Sequence, residues 1–241
     1  MKKHSFILPV MSLVVLTGCQ SNQPDATLQK ASNTFFEAFN HICEADSLQI
    51  QGSADTPTFS AQFTAAFTSK PQELAFDIFF SDGHDIGFYI EDGKTYLNYM
   101  GTKSSSEASK IGISSTEDFH LPNPFLHLSR EERTEFFKSV EVHESKINDQ
   151  EATTYTFTIN PTEANKLLDY YGAIKTEKAQ LQATICGEEI TGMIIEFQGI
   201  YDLEVSQTNL SLSAQAEILK LNENVEVHFP ADLHDGHWNA E

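Results

Sequence analysis

The sequence predicts an α+β domain in which a curved antiparallel sheet, a half-barrel of about ten strands, wraps around helices on its concave face. Three observations lead to this fold class. Apolar and polar residues alternate with a period of two through most of the chain, three other segments have helical periodicity, and no linker is long enough to separate domains. A sheet of this width tends to curl, so helices in its hollow would bury the apolar face.

The first element after the N-terminal segment is a helix, predicted for residues 27–43. Its apolar residues recur at three- and four-residue steps and include Leu28, Ala31, Phe35, Phe39 and Ile42. A short strand at Leu48 and Ile50 follows, and then the period of two begins. Apolar residues, many of them phenylalanine, occupy alternate positions in the next strands, which indicates that each strand buries one face.

Turn residues define the next elements. Asp92-Gly93 is a typical two-residue hairpin turn, and the return strand runs through Tyr96 to Met100. The Ser-rich segment from Thr102 to Lys110 is predicted to be a loop. Two short helices are predicted later, one capped by Ser129 with Glu132 and one opened by Asn160-Pro161. The remaining strands lie between residues 140 and 229, and their alternation is the same.

The N-terminal segment has the three parts of a secretory signal: Lys2 and Lys3, an apolar run from Phe6 to Leu16, and small residues before a break. The run is too short to span a bilayer as a helix. It ends in Leu16-Thr17-Gly18-Cys19, which resembles the lipobox of bacterial lipoproteins, where the cysteine is acylated and begins the mature chain. We therefore expect a signal peptide at 1–18, a lipidated Cys19 with a tether at 19–26, one domain at 27–233 and a polar tail at 234–241. Cys19 would anchor the chain to the extracytoplasmic face of the cell membrane.

The charge balance excludes several classes of function. The chain of 241 residues carries 15 Lys and Arg against 35 Asp and Glu, a formal charge of 15 − 35 = −20, which argues against a nucleic-acid partner. No nucleophile elbow, zinc-protease helix, C-x-x-C pair or phosphate loop is present, so we expect no enzymatic activity and no cofactor.

Two groups of residues carry chemistry of their own. The C-terminal histidines His228, His234 and His237, together with Asp235, could ligate zinc or copper, but we interpret them as solvated tail residues and predict no metal site. Cys43 and Cys186 lie in a chain expected to be exported, where disulfides persist. The sequence leaves open whether they form a disulfide or remain two buried thiols.

Three segments resemble a known superfamily: "GFYIEDGKTYLNYMGTK" (Gly87 to Lys103), "YTFTINPTEANKLLDYYG" (Tyr155 to Gly172) and "NENVEVHFPADL" (Asn222 to Leu233). With the lipobox and the first helix, their order is similar to that of Gram-positive surface lipoproteins with the LolA/LppX/LprG-like half-barrel fold. The resemblance covers most of residues 27–233. It implies an apolar cavity between the sheet and the helices, and carriage of acyl chains in the best-known members.

The aromatic residues of the strands are the candidate ligand-binding residues. We expect a cavity lined by Phe59, Phe63, Phe67, Phe76, Phe80, Phe88 and Tyr96. The Pro-containing segment that follows the meander is a candidate lid, through Phe119, Leu121, Phe125 and Leu126. Two hypotheses remain. The protein binds or carries a lipid or other apolar ligand, or it is an envelope protein-interaction or sensor module whose hollow is only core.

Overall fold

The structure is a computed structural model that describes residues 26–111, 121, 123–126, 128–147, 149–168, 174–203, 206–236 and 238–240. The expected signal peptide and Cys19 lie outside these residues. The helices are α1 (Ala26–Cys43), α2 (Arg130–Glu135) and α3 (Pro161–Leu168), with a 3-10 helix at Ala108–Ile111. The first six strands are β1 (Ser47–Asp55), β2 (Ser60–Thr68), β3 (Glu73–Phe80), β4 (Asp85–Glu91), β5 (Lys94–Tyr99) and β6 (Thr102–Glu107). The others are β7 (Phe137–Ile147), β8 (Gln150–Ile159), β9 (Ile174–Cys186), β10 (Glu189–Leu203), β11 (Ser206–Leu221) and β12 (Asn239–Ala240).

All twelve of these strands belong to one curved sheet, in the order β12-β6-β5-β4-β3-β2-β1-β11-β10-β9-β8-β7. Strands β1 to β11 pair antiparallel with their neighbours, and the two-residue β12 pairs parallel to β6. The pairing of β1 with β11 joins an N-terminal meander to a C-terminal one. Because β12 and β7 do not pair with each other, the sheet is open, as expected for a half-barrel.

Helix α1 supplies the centre of the main core. Phe35, which is 1% exposed, contacts the rings of Phe36, Phe39, Phe137 and Phe157 at centroid distances of 5.3 to 5.8 Å. Most of these ring pairs are edge-to-face or tilted, the arrangements that aromatic quadrupoles favour. The apolar stripe predicted from the sequence is therefore the buried side of α1.

The strand register gives the sheet two distinct faces. Leu48, Phe67, Leu74 and Ile90 lie directly opposite one another across β1 to β4, and the first three belong to, or pack on, the core cluster that contains α1. We call the face that carries them the helix-side face. Residues of the other parity form the outer face, because successive side chains of a strand alternate.

The two short helices begin as predicted. The Ser129 hydroxyl accepts a hydrogen bond from Glu132 N at 3.2 Å, and the Glu132 carboxylate accepts one from Ser129 N at 2.7 Å, which completes a capping box at α2. At α3, the Asn160 side chain accepts from Thr162 N at 3.2 Å. Both helices are too short to be stable alone, so their position depends on packing.

Strand β6 replaces the predicted Ser-rich loop. Met100 and Gly101 have φ values of 52° and 87°, which form a two-residue turn that pairs Tyr99 with Thr102. The polar residues of β6 have no strand periodicity. Its pairing with β5 decides the structure, because β propensity depends strongly on the neighbouring strand.

The segment made up of residues 222–236 and 238–240, here called the C-terminal strap, packs on the outer face through its apolar residues. Its Leu233 and Trp238 form a second core cluster with Ala75, Tyr89 and Tyr96. Trp238 is only 6% exposed. This packing differs from the expected polar tail, because a single large aromatic residue ties the end of the chain to the sheet.

Candidate ligand-binding face

The helices cover only part of the helix-side face. The remaining part, here called the open apolar face, lies on β2 to β5. It consists of Phe63, Phe76, Ile78, Phe80, Ile86, Phe88, Leu97 and Tyr99. None of these side chains belongs to the described core cluster around α1. Six of them are half-buried, while Leu97 and Tyr99 are 42% and 54% exposed.

Strand pairing arranges these residues in rows. Phe63, Ile78, Ile86 and Tyr99 are successive cross-strand partners, and Phe76, Phe88 and Leu97 form the next row. Directly opposite side chains in antiparallel strands are about 4.5–5.5 Å apart at Cβ, so the rows form one continuous apolar surface. All of its members are apolar except for the Tyr99 hydroxyl.

A glycine lets one of these rings lie flat against the sheet. A Cβ atom added to Gly52 would meet the Cζ atom of its cross-strand partner Phe63 at 2.3 Å, so the ring occupies the space above the glycine. The open apolar face thus extends from β2 onto β1.

The structure brings five of the predicted cavity residues together. Phe63, Phe76, Phe80 and Phe88 lie on the open apolar face, and the ring of Phe59, 43% exposed, contacts Phe80 edge-to-face at 5.7 Å. They form an open surface in the described residues.

Phe67 and Tyr96 lie elsewhere. Phe67 is 1% exposed and belongs to the core cluster around α1. Tyr96 lies on the outer face, with its ring 5.7 Å from that of Trp238. Neither side chain shares the surface formed by the other predicted residues.

Sequence reasoning missed Leu97 and Tyr99, although a signal was present. The two-residue turn at Asp92-Gly93 pairs Glu91 with Lys94, and this register places Leu97 opposite Phe88. Counting the residue pairs outward from the turn therefore assigns Leu97 and Tyr99, instead of Tyr96, to the face that carries the phenylalanines.

The candidate lid residues have different environments. Phe119 lies outside the described residues. Leu121 and Phe125 pack against the core, where the Phe125 ring lies 5.2 Å from Phe39 of α1. Leu126 is 67% exposed. The described part of this segment therefore lies against α1.

The two cysteines of the domain are free thiols in this structure. Burial, with a smaller contribution from the charge of Glu44, raises the pKa of the Cys43 thiol to about 11. Cys43 is therefore protonated at neutral pH and behaves as a small apolar core residue.

The C-terminal histidines of the described residues lie beside separate carboxylates. His234 Nε2 is 3.1 Å from Glu91, and His228 Nδ1 is 3.9 Å from Glu226. His237 lies outside the described residues. Across the ranges that the structure describes, no three metal-ligating side chains form a group.

A buried hydrogen-bonded pair lies behind the open apolar face, on the outer face of β3 and β4. The Tyr89 hydroxyl donates to the Asp77 carboxylate. Burial raises the pKa of Asp77, although this hydrogen bond opposes the shift, and burial also raises the pKa of Tyr89 well above its usual range. The pair supports the sheet from the side opposite the open apolar face.

The fold is similar to that of solved bacterial lipoproteins. The lipoprotein LppX of Mycobacterium tuberculosis superposes with a TM-score of 0.51 and 14% identity, over 85% of this chain and 100% of that chain. The chain has the LppX fold. This likeness confirms the half-barrel fold that the sequence resemblance implied.

LprF from Mycobacterium bovis matches with a TM-score of 0.46 and 12% identity, over 84% of this chain and 97% of that chain. No protein-family model matches the sequence, and no curated protein matches it. Among the described helices of this LppX-like chain, none is both long and apolar enough to cross a membrane.

Proposed function

We propose that the protein is a non-enzymatic lipoprotein, anchored through Cys19 on the extracytoplasmic side of the membrane, that binds a lipid or other apolar ligand. The observation that carries this proposal is the open apolar face, where aromatic and aliphatic side chains on four neighbouring strands remain outside the helix-covered core.

Leaving this surface in water is unfavourable. Burial of apolar area contributes about 25 cal/mol per Å², and soluble monomers rarely expose contiguous apolar patches of more than a few hundred Å². A partner that covers the rows of Phe63 and Phe76 would recover this free energy. The surface therefore has the chemistry of a binding site for an apolar partner.

An acyl chain matches the surface in shape and chemistry. Each fully buried methylene is worth about 0.8 kcal/mol, so ten methylenes with one side against the rings would gain about 4 kcal/mol. That corresponds to binding in the millimolar range. Tight retention thus requires either several chains or a second layer of protein over the ligand, which is the role we propose for the segment that contains Phe119.

The proposed anchor agrees with the charge of the domain. Removal of residues 1–18 takes away two lysines, so the mature charge is 13 − 35 = −22. This charge keeps the domain away from anionic headgroups, while two or more acyl chains on Cys19 would hold it at the membrane. The likeness to the lipoprotein LppX supports this location.

Native mass spectrometry of the mature chain, purified after export and extracted in parallel with organic solvent, tests the proposal. We expect an apolar adduct that is released on denaturation. The double variant Leu97→Asp/Tyr99→Asp should lose the adduct, because both charges would enter the open apolar face. Phe79→Asp is the matched control, since Phe79 is 51% exposed on β3, two strands from β5, but points to the outer face.

A folded protein with no adduct would contradict ligand binding and favour the second function, docking of another envelope protein. The specific observation behind this alternative is that the surface is open, so apolar side chains of a partner could cover it. Loss of the adduct in both the double variant and Phe79→Asp, with both proteins folded, would contradict the assignment of the two faces.

A further inference from the structure

A row of six side chains, four of them polar, crosses the outer face at the centre of the sheet. Successive cross-strand partners from β9 to β3 are Gln182, Ile194, Gln215, Ser53, Gln62 and Phe79. With neighbouring strands about 4.8 Å apart, this row of six is about 24 Å long. We call it the amide row, because three of its members are glutamines.

The amide row lies in a recess. All six side chains line a cavity of about 640 Å³. A second cavity of about 340 Å³ follows along β9 to β11, with Gln180 and Gln198 in its wall. Register shifts at Gln49/Ile50 in β1 and at two positions in β10 bend these central strands, which is the usual effect of β-bulges.

The larger cavity is almost free of charge, although the protein is strongly acidic. Glu217 is the one ionisable side chain in its described wall, and its carboxylate accepts a hydrogen bond from Gln51 Nε2 at 3.0 Å. The surrounding negative charge repels an anionic ligand, and a single carboxylate that already accepts a hydrogen bond gives the cavity no cluster of charges to hold a specific cation. The electrostatics therefore fit a neutral, polar ligand.

The donors and acceptors of the row point to the same class. A glutamine amide presents both a carbonyl acceptor and an NH₂ donor, which can bind a hydroxyl group in either direction. Gln215 Nε2 donates to Ser53 Oγ at 3.1 Å, so the side-chain carbonyl of Gln215 can accept a hydrogen bond from a ligand. At the end of the row, Phe79 is 51% exposed beside Gln62 and offers a flat apolar ring to aliphatic C–H groups.

We propose that the amide row is a binding site for an extended neutral oligosaccharide. Sugar hydroxyls pair with Gln62, Gln182 and Gln215, and the apolar face of one ring stacks on Phe79. The six side chains of the row are on the face opposite the open apolar face, although Phe63 of that face also borders the cavity. A single chain could then hold a lipid on one side and contact a glycan on the other.

Titration of the full chain with maltohexaose, cellohexaose and laminarihexaose, followed by ¹H–¹⁵N NMR in a detergent without a sugar headgroup, tests the proposal. We expect at least one of these probes to shift amide signals of β1, β2 and β11. Gln215→Ala and Phe79→Ala should each weaken binding about fivefold to tenfold, as for one hydrogen bond or one ring contact.

Asn209→Ala is the matched control, because Asn209 is an exposed amide side chain on the same strand and outer face as Gln215 but lies outside both cavities. Unchanged affinity in this variant, with weakening in the other two, supports the proposal. The proposal is overturned if none of the hexasaccharides binds, if binding is the same in Gln215→Ala and Phe79→Ala as in the parent, or if pentaglycine binds the row and the saccharides do not.

Discussion

Replacement of Trp238 by alanine should detach the C-terminal strap and destabilise the protein. The indole ring contacts Tyr89 and Tyr96 edge-to-face at centroid distances of 5.9 and 5.7 Å, and Lys103 Nζ lies 5.0 Å from the ring centroid. Its Nε1–H donates to the carbonyl of Asp232 at 3.1 Å. No other residue of the described strap combines an aromatic contact, a cation–π contact and a hydrogen bond.

The expected loss follows from these contacts. Each edge-to-face pair contributes about 0.5–1.5 kcal/mol beyond area burial, the cation–π contact about 0.5–1 kcal/mol, and the hydrogen bond about 1 kcal/mol. Together they agree with the loss of about 3–5 kcal/mol that is usual when a buried tryptophan becomes alanine. For a chain of this size, the midpoint of thermal unfolding should fall by roughly 10 °C.

Denaturant unfolding followed by circular dichroism, together with limited proteolysis, measures the effect. New cleavage within residues 222–236 should appear at denaturant concentrations that leave the parent protein intact. Trp238→Phe is the control: it keeps a ring between the two tyrosines but loses the indole N–H, so it should cost only about 1–2 kcal/mol. A loss below about 1 kcal/mol in Trp238→Ala, with unchanged proteolysis, would refute the packing of the strap.

Three further predictions concern other buried sites. Asp77→Asn should raise the midpoint of thermal unfolding at pH 7 and have little effect near pH 3. Burial raises the pKa of Asp77, so the folded state loses stability once this carboxyl ionises. An equal effect of the substitution at both pH values would contradict this prediction. Gly52→Ala should lower the free energy of unfolding by about 1–3 kcal/mol, since the new Cβ would meet the backbone carbonyl oxygen of Gln215 at 2.1 Å. Gly192→Ala is the control: its new Cβ would have its nearest contact at 3.6 Å, so urea unfolding should be nearly unchanged. Cys43, with a pKa of about 11, should react with Ellman's reagent at pH 8 only after the protein unfolds. Peptide mapping distinguishes its modification from that of Cys186. Rapid reaction of Cys43 in the native protein would show that the thiol is accessible and would contradict the prediction.

Local patterns in the sequence predicted much of the architecture. The stripe of α1, the capping box at Ser129 and the turn at Asp92-Gly93 depend on residues a few positions apart, so their physics can be evaluated without the rest of the chain. Strand β6 was missed for the opposite reason. Its serines favour no particular structure, and only the pairing with β5 makes them a strand.

The candidate site was predicted only in part, because it depends both on which strand residues share a face and on which part of that face the helices cover. Which strand residues share a face follows from parity, and the grouping of Phe63, Phe76, Phe80 and Phe88 agrees with the structure. Which part of that face is covered depends on where α1 crosses it. Phe63 and Phe67 lie on the same strand and have the same parity, so the sequence pattern does not distinguish them. Phe67 is nevertheless in the core, while Phe63 is half-buried.

The sequence by itself determined the chemical character of each strand face, since alternation along one strand is a local property. It predicted an apolar face rich in phenylalanine and the LppX-like order of elements. Only the tertiary structure decided that the open apolar face on β2 to β5 stays outside the core cluster around α1, that Trp238 packs on the outer face of β4 and β5, and that glutamines from distant strands form one row. These features depend on contacts between residues far apart in the chain, and a periodic pattern contains no information about which distant segment will cover it.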